Sequence, residues 1–123
     1  MTTFQAEMTP RFQQLLERRE AELRALLAEE SARDQAEAQA REPGEAVTDF
    51  KDLADAETST AVHEMQHTHA VQELEAVQAA LLRLARGQYG QCLACGEPIE
   101  LRRLEALPTA LRCIRCQSLA ETA

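Results

Sequence analysis

The chain has 123 residues, a net charge of -8, no Trp and only four aromatic side chains. With 22 Ala but just four Val and two Ile, it lacks both the rings that fill a thick core and the β-branched residues that build long strands, so a sandwich, a barrel or a doubly wound sheet is excluded. Its 13 basic residues against 21 acidic ones form no basic footprint for nucleic-acid phosphates, and an anionic membrane surface would repel it.

The opening residues, Met1-Thr2-Thr3-Phe4-Gln5-Ala6-Glu7, have neither the basic nor the apolar region of an export signal. No apolar run approaches the roughly 20 residues of a spanning helix. A cytoplasmic protein without membrane attachment is expected, with its thiols kept reduced.

A first helix is predicted from about Thr9 to Arg41. Thr9 is read as its N-cap, and Pro10 suits the first turn. Phe12, Leu16, Arg19, Leu23, Leu26, Glu30, Arg33, Glu37 and Ala40 recur in steps of three and four, a heptad seam that is apolar early and polar late. Leu15 and Leu27 widen the stripe. Glu42-Pro43-Gly44-Glu45 breaks the helix.

A second helix is predicted from near Asp49 to about Arg86. Its seam is Leu53, Ala56, Thr60, His63, His67, Ala70, Leu74, Val77, Leu81 and Leu84. Gly87 and Gly90 end it. A short breaker between two long heptad helices predicts an antiparallel hairpin, well packed at its base and thin at its tip. The same pattern fits a thin tip with no task beyond being solvated. An intramolecular hairpin also predicts a monomer.

Two groups on the second helix carry possible chemistry. Asp49 and Asp52 open it, where carboxylates cap the first turn and complement the helix dipole. That capping role is the plainer reading of the pattern, and only a position at the tip sets these acids apart. His63 and His67 are spaced as a metal-binding pair on one helix face. Both fall on the seam, so a polar layer that fixes register, with Glu30 as partner, is the favoured reading.

The last segment holds all four Cys. Cys92-x-x-Cys95, an interval of 17 residues and Cys113-x-x-Cys116 match the spacing of a four-thiolate zinc site. Two residues between thiols let one tight turn aim both sulfurs at one tetrahedral ion. No His lies in the segment, so four thiolates close the coordination shell and one structural Zn2+ is expected. The rival readings are two disulfides, which conflict with the compartment, and a thiol oxidoreductase, which needs a βαβ setting that is missing. A segment of about 35 residues buries too little to fold alone, and the metal supplies what is lacking. Little regular structure is predicted here before a short C-terminal helix around 114–120.

Tyr89-Gly90-Gln91-Cys92-Leu93-Ala94-Cys95-Gly96-Glu97-Pro98-Ile99, then Leu101-Arg102-Arg103-Leu104-Glu105-Ala106-Leu107-Pro108-Thr109-Ala110 and Cys113-Ile114-Arg115-Cys116, closely resemble the zinc finger of the DksA/TraR family. Asp49-x-x-Asp52-x-Ala54 falls on the tip motif of that family's DksA branch. The resemblance implies a non-enzymatic regulator that binds bacterial RNA polymerase rather than DNA and inserts its coiled-coil tip into the secondary channel. Asp49 and Asp52 would be the acids that alter open-complex lifetime, and Ala54 would pack against the polymerase. In the DksA branch the alarmone guanosine tetraphosphate is bound at the interface with the polymerase by basic side chains of the second helix and zinc finger, at positions that match Ala76, Leu107 and Gln117 here. Weak or absent alarmone dependence is therefore expected, although Arg102, Arg103 and Arg115 lie nearby in sequence.

The expected fold is mainly α: a long antiparallel helical hairpin (coiled coil) over residues 1–86, with its tip near 42–54, attached to a small four-Cys zinc-finger segment with a short C-terminal helix over 87–123. The alternatives are a zinc-finger and coiled-coil interaction module with another partner, and a thiol redox sensor.

Overall fold

The computed structural model describes residues 2–40 and 50–122, with side chains described at 2–39 and 60–122. The breaker at 42–45 and Asp49 lie outside the described residues. Four α-helices follow in order: α1 (Thr9–Ala40), α2 (Phe50–Ala85), α3 (Leu101–Ala106) and α4 (Ile114–Thr122). No strand occurs among the described residues, and pairing is limited to two isolated antiparallel bridges, Thr3 with Glu100 and Gln91 with Pro98. Among the described residues no helix is long and apolar enough to cross a membrane.

The chain divides into two compact units. Unit 1 joins 1–20 to 75–123, and unit 2 is 21–74. Each unit thus pairs one part of α1 with the part of α2 that an antiparallel hairpin would set against it.

In unit 1 the core is Phe12 and Leu16 from α1, Val77, Ala80 and Leu84 from α2, and Tyr89, Ile99, Leu104 and Ala110 from the segment beyond. The scarce rings are concentrated here. Phe4, Phe12 and Tyr89 form a triangle with centroids 4.9, 5.6 and 5.7 Å apart, two of the three pairs edge-to-face, the arrangement ring quadrupoles favour. The absence of rings along most of the chain therefore does not extend to its base.

The start of α1 differs from the sequence expectation. Thr9 is helical (φ -51°, ψ -48°) and its N–H bonds to the Ala6 carbonyl, so it is not an N-cap. A single 3-10 turn over Ala6–Met8 runs directly into the helix and satisfies donors that a cap would otherwise serve. The residues before it belong to the base: the Leu101 N–H donates to the Thr2 carbonyl at 2.8 Å.

The seam of α1 also shifts. Phe12, Leu16 and Leu23 are each 1% exposed, but Arg19 and Leu26 face solvent, and Glu20, Leu27 and Glu30 are the half-buried positions. The stripe steps by four, four, three, four and three, following 3.6 residues per turn more closely than a strict heptad does. On α2, Ala70, Val77, Ala80 and Leu84 are buried, while Leu74 and Leu81 are half-buried.

Helix α2 ends as Gly87 predicts. Gly87 takes φ +70°, its N–H bonds to the Leu84 carbonyl, and the Gln88 N–H reaches back to Arg83, the paired bonds of a Schellman cap. Arg83 then donates through Nη2 to the carbonyls of Gln88 at 3.1 Å and Gln91 at 2.5 Å, tying the helix end to the approach to the first Cys pair.

Candidate metal centre

The first Cys pair sits on a tight turn. The Cys92 N–H bonds to the Glu97 carbonyl, and the Gly96 N–H returns to the Cys92 carbonyl at 2.9 Å. Gly96 has φ +75°, the left-handed conformation that glycine supplies without strain. The second pair is set by a helix start. Cys113 precedes α4 and Cys116 lies in its first turn, where the Cys116 N–H donates to the Cys113 sulfur at 3.5 Å. The positive end of a helix favours a thiolate at this place.

Three contacts bring the pairs together. The Leu93 N–H donates to the Leu111 carbonyl at 2.8 Å, linking the two turns directly. The Tyr89 hydroxyl donates to the Pro108 carbonyl at 2.7 Å. Arg103 Nε donates to the Arg112 carbonyl at 2.9 Å. Between the pairs runs α3, whose Leu104 is fully buried. The sequence expectation of little regular structure before residue 114 is wrong at this helix. Its signal was present: Leu, Arg, Glu and Ala are strong helix formers, Leu101 and Leu104 share a face, and Pro108 follows.

The four sulfurs of Cys92, Cys95, Cys113 and Cys116 all lie within 4.8 Å of one another, and no other group of three or more metal-ligating side chains does so among the described residues. Cys95 and Cys113 sulfurs are 3.9 Å apart. A tetrahedral ion with Zn–S bonds of about 2.3 Å requires sulfurs roughly 3.8 Å apart, so the residues fit zinc.

The acidities point the same way. Burial raises the Cys92 thiol, but backbone hydrogen bonds from Cys113, Cys95 and Ala94 and the Cys95 side chain bring it down to about 6. The Cys116 backbone lowers Cys113. Cys116, facing the other sulfurs, is pushed up to about 12, first by the Cys113 side chain and then by burial. Four thiols this close cannot all ionise alone, and a divalent cation removes that conflict.

The other predicted positions are dispersed. Asp52 and Ala54 lie in the first turns of α2, with side chains outside the described set. His67 meets Glu30, Nδ1 to Oε2 at 3.0 Å, the partner expected for a polar layer. Leu107 is 48% exposed, and the Gln117 amide donates to Glu121 at 3.0 Å. The N-terminal arm, with Thr2, Thr3 and Phe4 on the finger, was not expected. Phe4 is its one sequence signal, a ring in a chain that has so few.

Residues 87–121 match the model of the prokaryotic DksA/TraR C4-type zinc finger. Among curated proteins the chain is similar to the RNA polymerase-binding transcription factor DksA of Haemophilus influenzae, 40% identical over 78 residues, and to that of Caulobacter vibrioides, 37% identical over 73. These matches cover 61% and 59% of this chain and 54% and 51% of the relatives; the chain thus spans about half the length of the curated relatives it matches. Among solved structures it is similar to transcription factor DksA2 from Pseudomonas aeruginosa, 33% identical with a TM-score of 0.77, over 94% of this chain and 84% of that one.

Proposed function

The chain belongs to the DksA/TraR family of C4-type zinc-finger proteins, and on that premise we propose that it regulates transcription initiation by binding bacterial RNA polymerase. One observation carries this reading. The likeness to DksA2 runs over 94% of the chain, so it takes in both long helices as well as the finger. At 1.5 Å per residue, the 36 residues of α2 extend about 54 Å, a reach suited to a narrow channel.

In this reading Cys92, Cys95, Cys113 and Cys116 hold one structural Zn2+, which supplies folding free energy to the base. The site has no open position for water or substrate, in keeping with a regulator that is not an enzyme. Asp49 and Asp52 are the acids that act inside the polymerase, and Ala54 packs beside them. The net charge of -8 lets the protein approach DNA-bound polymerase without gripping DNA. Ala76, Leu107 and Gln117 offer no cation, so guanosine tetraphosphate has little to pair with at the family's site.

Purified polymerase tests the reading. The protein should co-purify with it and change open-complex lifetime. Asp49→Asn with Asp52→Asn should leave binding within about twofold and remove the effect. A double variant that regulates normally overturns the tip assignment, and failure to bind polymerase overturns the whole reading. Adding the alarmone should change little; tight binding to the complex that is lost on mutating Arg102 or Arg103 overturns the alarmone part.

A further inference from the structure

His63 and His67 have no role in the function proposed above. They lie one turn apart on α2, so their rings share a face, and both border one cavity of about 730 Å³ within unit 2. The cavity wall is acidic: Glu29, Glu30, Asp34, Glu37 and Glu64 line it against a single guanidinium, Arg33. The His67 ring is held, because its Nδ1 lies 3.0 Å from Glu30 Oε2. A carboxylate at Nδ1 selects the tautomer in which Nε2 carries the lone pair, the arrangement that orients ligating imidazoles in metal sites.

We propose that His63 and His67 bind a second, exchangeable divalent transition ion through their Nε2 atoms, with water completing the shell and Glu30 as the positioning residue. Two imidazoles select a borderline ion of the Ni2+, Cu2+ or Zn2+ class over Mg2+ or Ca2+, which prefer oxygen ligands. Among the described residues the four cysteines are the only group of three or more metal-ligating side chains brought together, so affinity here rests on the imidazole pair and on the acidic wall that concentrates cations. Both histidines are exposed, so entry needs no opening of the fold. A bound dication also offsets the carboxylate repulsion across the cavity, so it stabilises the pairing of α1 with α2 in unit 2.

The test is calorimetric titration of Ni2+ into the tag-free, zinc-loaded full chain, with zinc release followed in parallel. One equivalent of Ni2+ should bind without zinc release. His63→Ala and His67→Ala should each weaken it at least tenfold, as should His63→Gln, which keeps a strong helix former at that position. Glu30→Gln should weaken it about tenfold or more, and His69→Ala should leave it unchanged. Binding that persists in the His63→Ala, His67→Ala double variant, or no binding in the parent, overturns the proposal. Uptake matched by zinc release also overturns it, since the ion then sits at the cysteines. Unchanged affinity in Glu30→Gln removes the positioning role.

Discussion

Gly90 meets two requirements at once. Its φ is +83°, and a Cβ built on it would stand 2.8 Å from Phe4 Cβ, a separation the N-terminal arm cannot absorb without moving. Gly87 shares the left-handed conformation but has open space around it. Gly90→Ala should therefore cost about 1–3 kcal/mol and loosen the arm, and Gly87→Ala no more than about 1–2 kcal/mol; urea midpoints of the zinc-loaded protein distinguish them. Tyr89, one residue earlier, sets a pH limit. Burial pushes its phenol well above the ordinary 10.0, against a smaller lowering by Arg83. The folded state thus favours the protonated form, so this contribution is complete below about pH 10 and is lost as pH rises from there towards the folded-state value. Stability should therefore hold up to about pH 10 and fall steadily as pH rises beyond it. In Tyr89→Phe that dependence should flatten, with a lower baseline because the Pro108 carbonyl loses its donor.

Both long helices were legible as elements, because steps of three and four sustained over thirty residues have no strand equivalent. Their register was legible only in part. Reading α1 as a strict heptad placed Arg19 and Leu26 inward, whereas its inward stripe through Phe12, Leu16, Glu20, Leu23, Leu27 and Glu30 keeps the 3.6 residues per turn of a straight helix rather than the 3.5 of a supercoiled seam. Leu23→Ala should accordingly cost about 2–5 kcal/mol. Leu26→Ala, at a position 46% exposed, should cost less than about 1 kcal/mol. Equal losses would mean the inward stripe runs through Leu26 after all. The zinc ligands were readable from spacing alone. Helix α3 left a signal in its helix formers but, at six residues, no sustained periodicity, and the arm at 2–4 left only Phe4, since a bridge such as Thr3 to Glu100 joins positions that local pattern cannot connect.

At the scale of the molecule, the metal and the ring triangle stabilise the same unit. With no Trp and one Tyr, tyrosine fluorescence and most near-ultraviolet dichroism report on Tyr89 alone. Chelating the zinc should abolish the near-ultraviolet signal, because the finger cannot order its rings without the ion. Far-ultraviolet helicity should fall by much less, since α1 and α2 hold 32 and 36 residues against 6 and 9 in α3 and α4. Parallel collapse of both signals would mean that the long helices depend on the metal as well.

Unit 1 is assembled from both ends of the sequence, 1–20 and 75–123. On the ribosome this has an order built into it. Unit 2 is complete once residue 74 has emerged, but Phe4 and Phe12, made among the first, wait for Tyr89 and for the last Cys pair before they are covered. During that interval the apolar face of early α1 is exposed, and the length of the exposure is set by translation speed over the final fifty residues and by how soon zinc arrives.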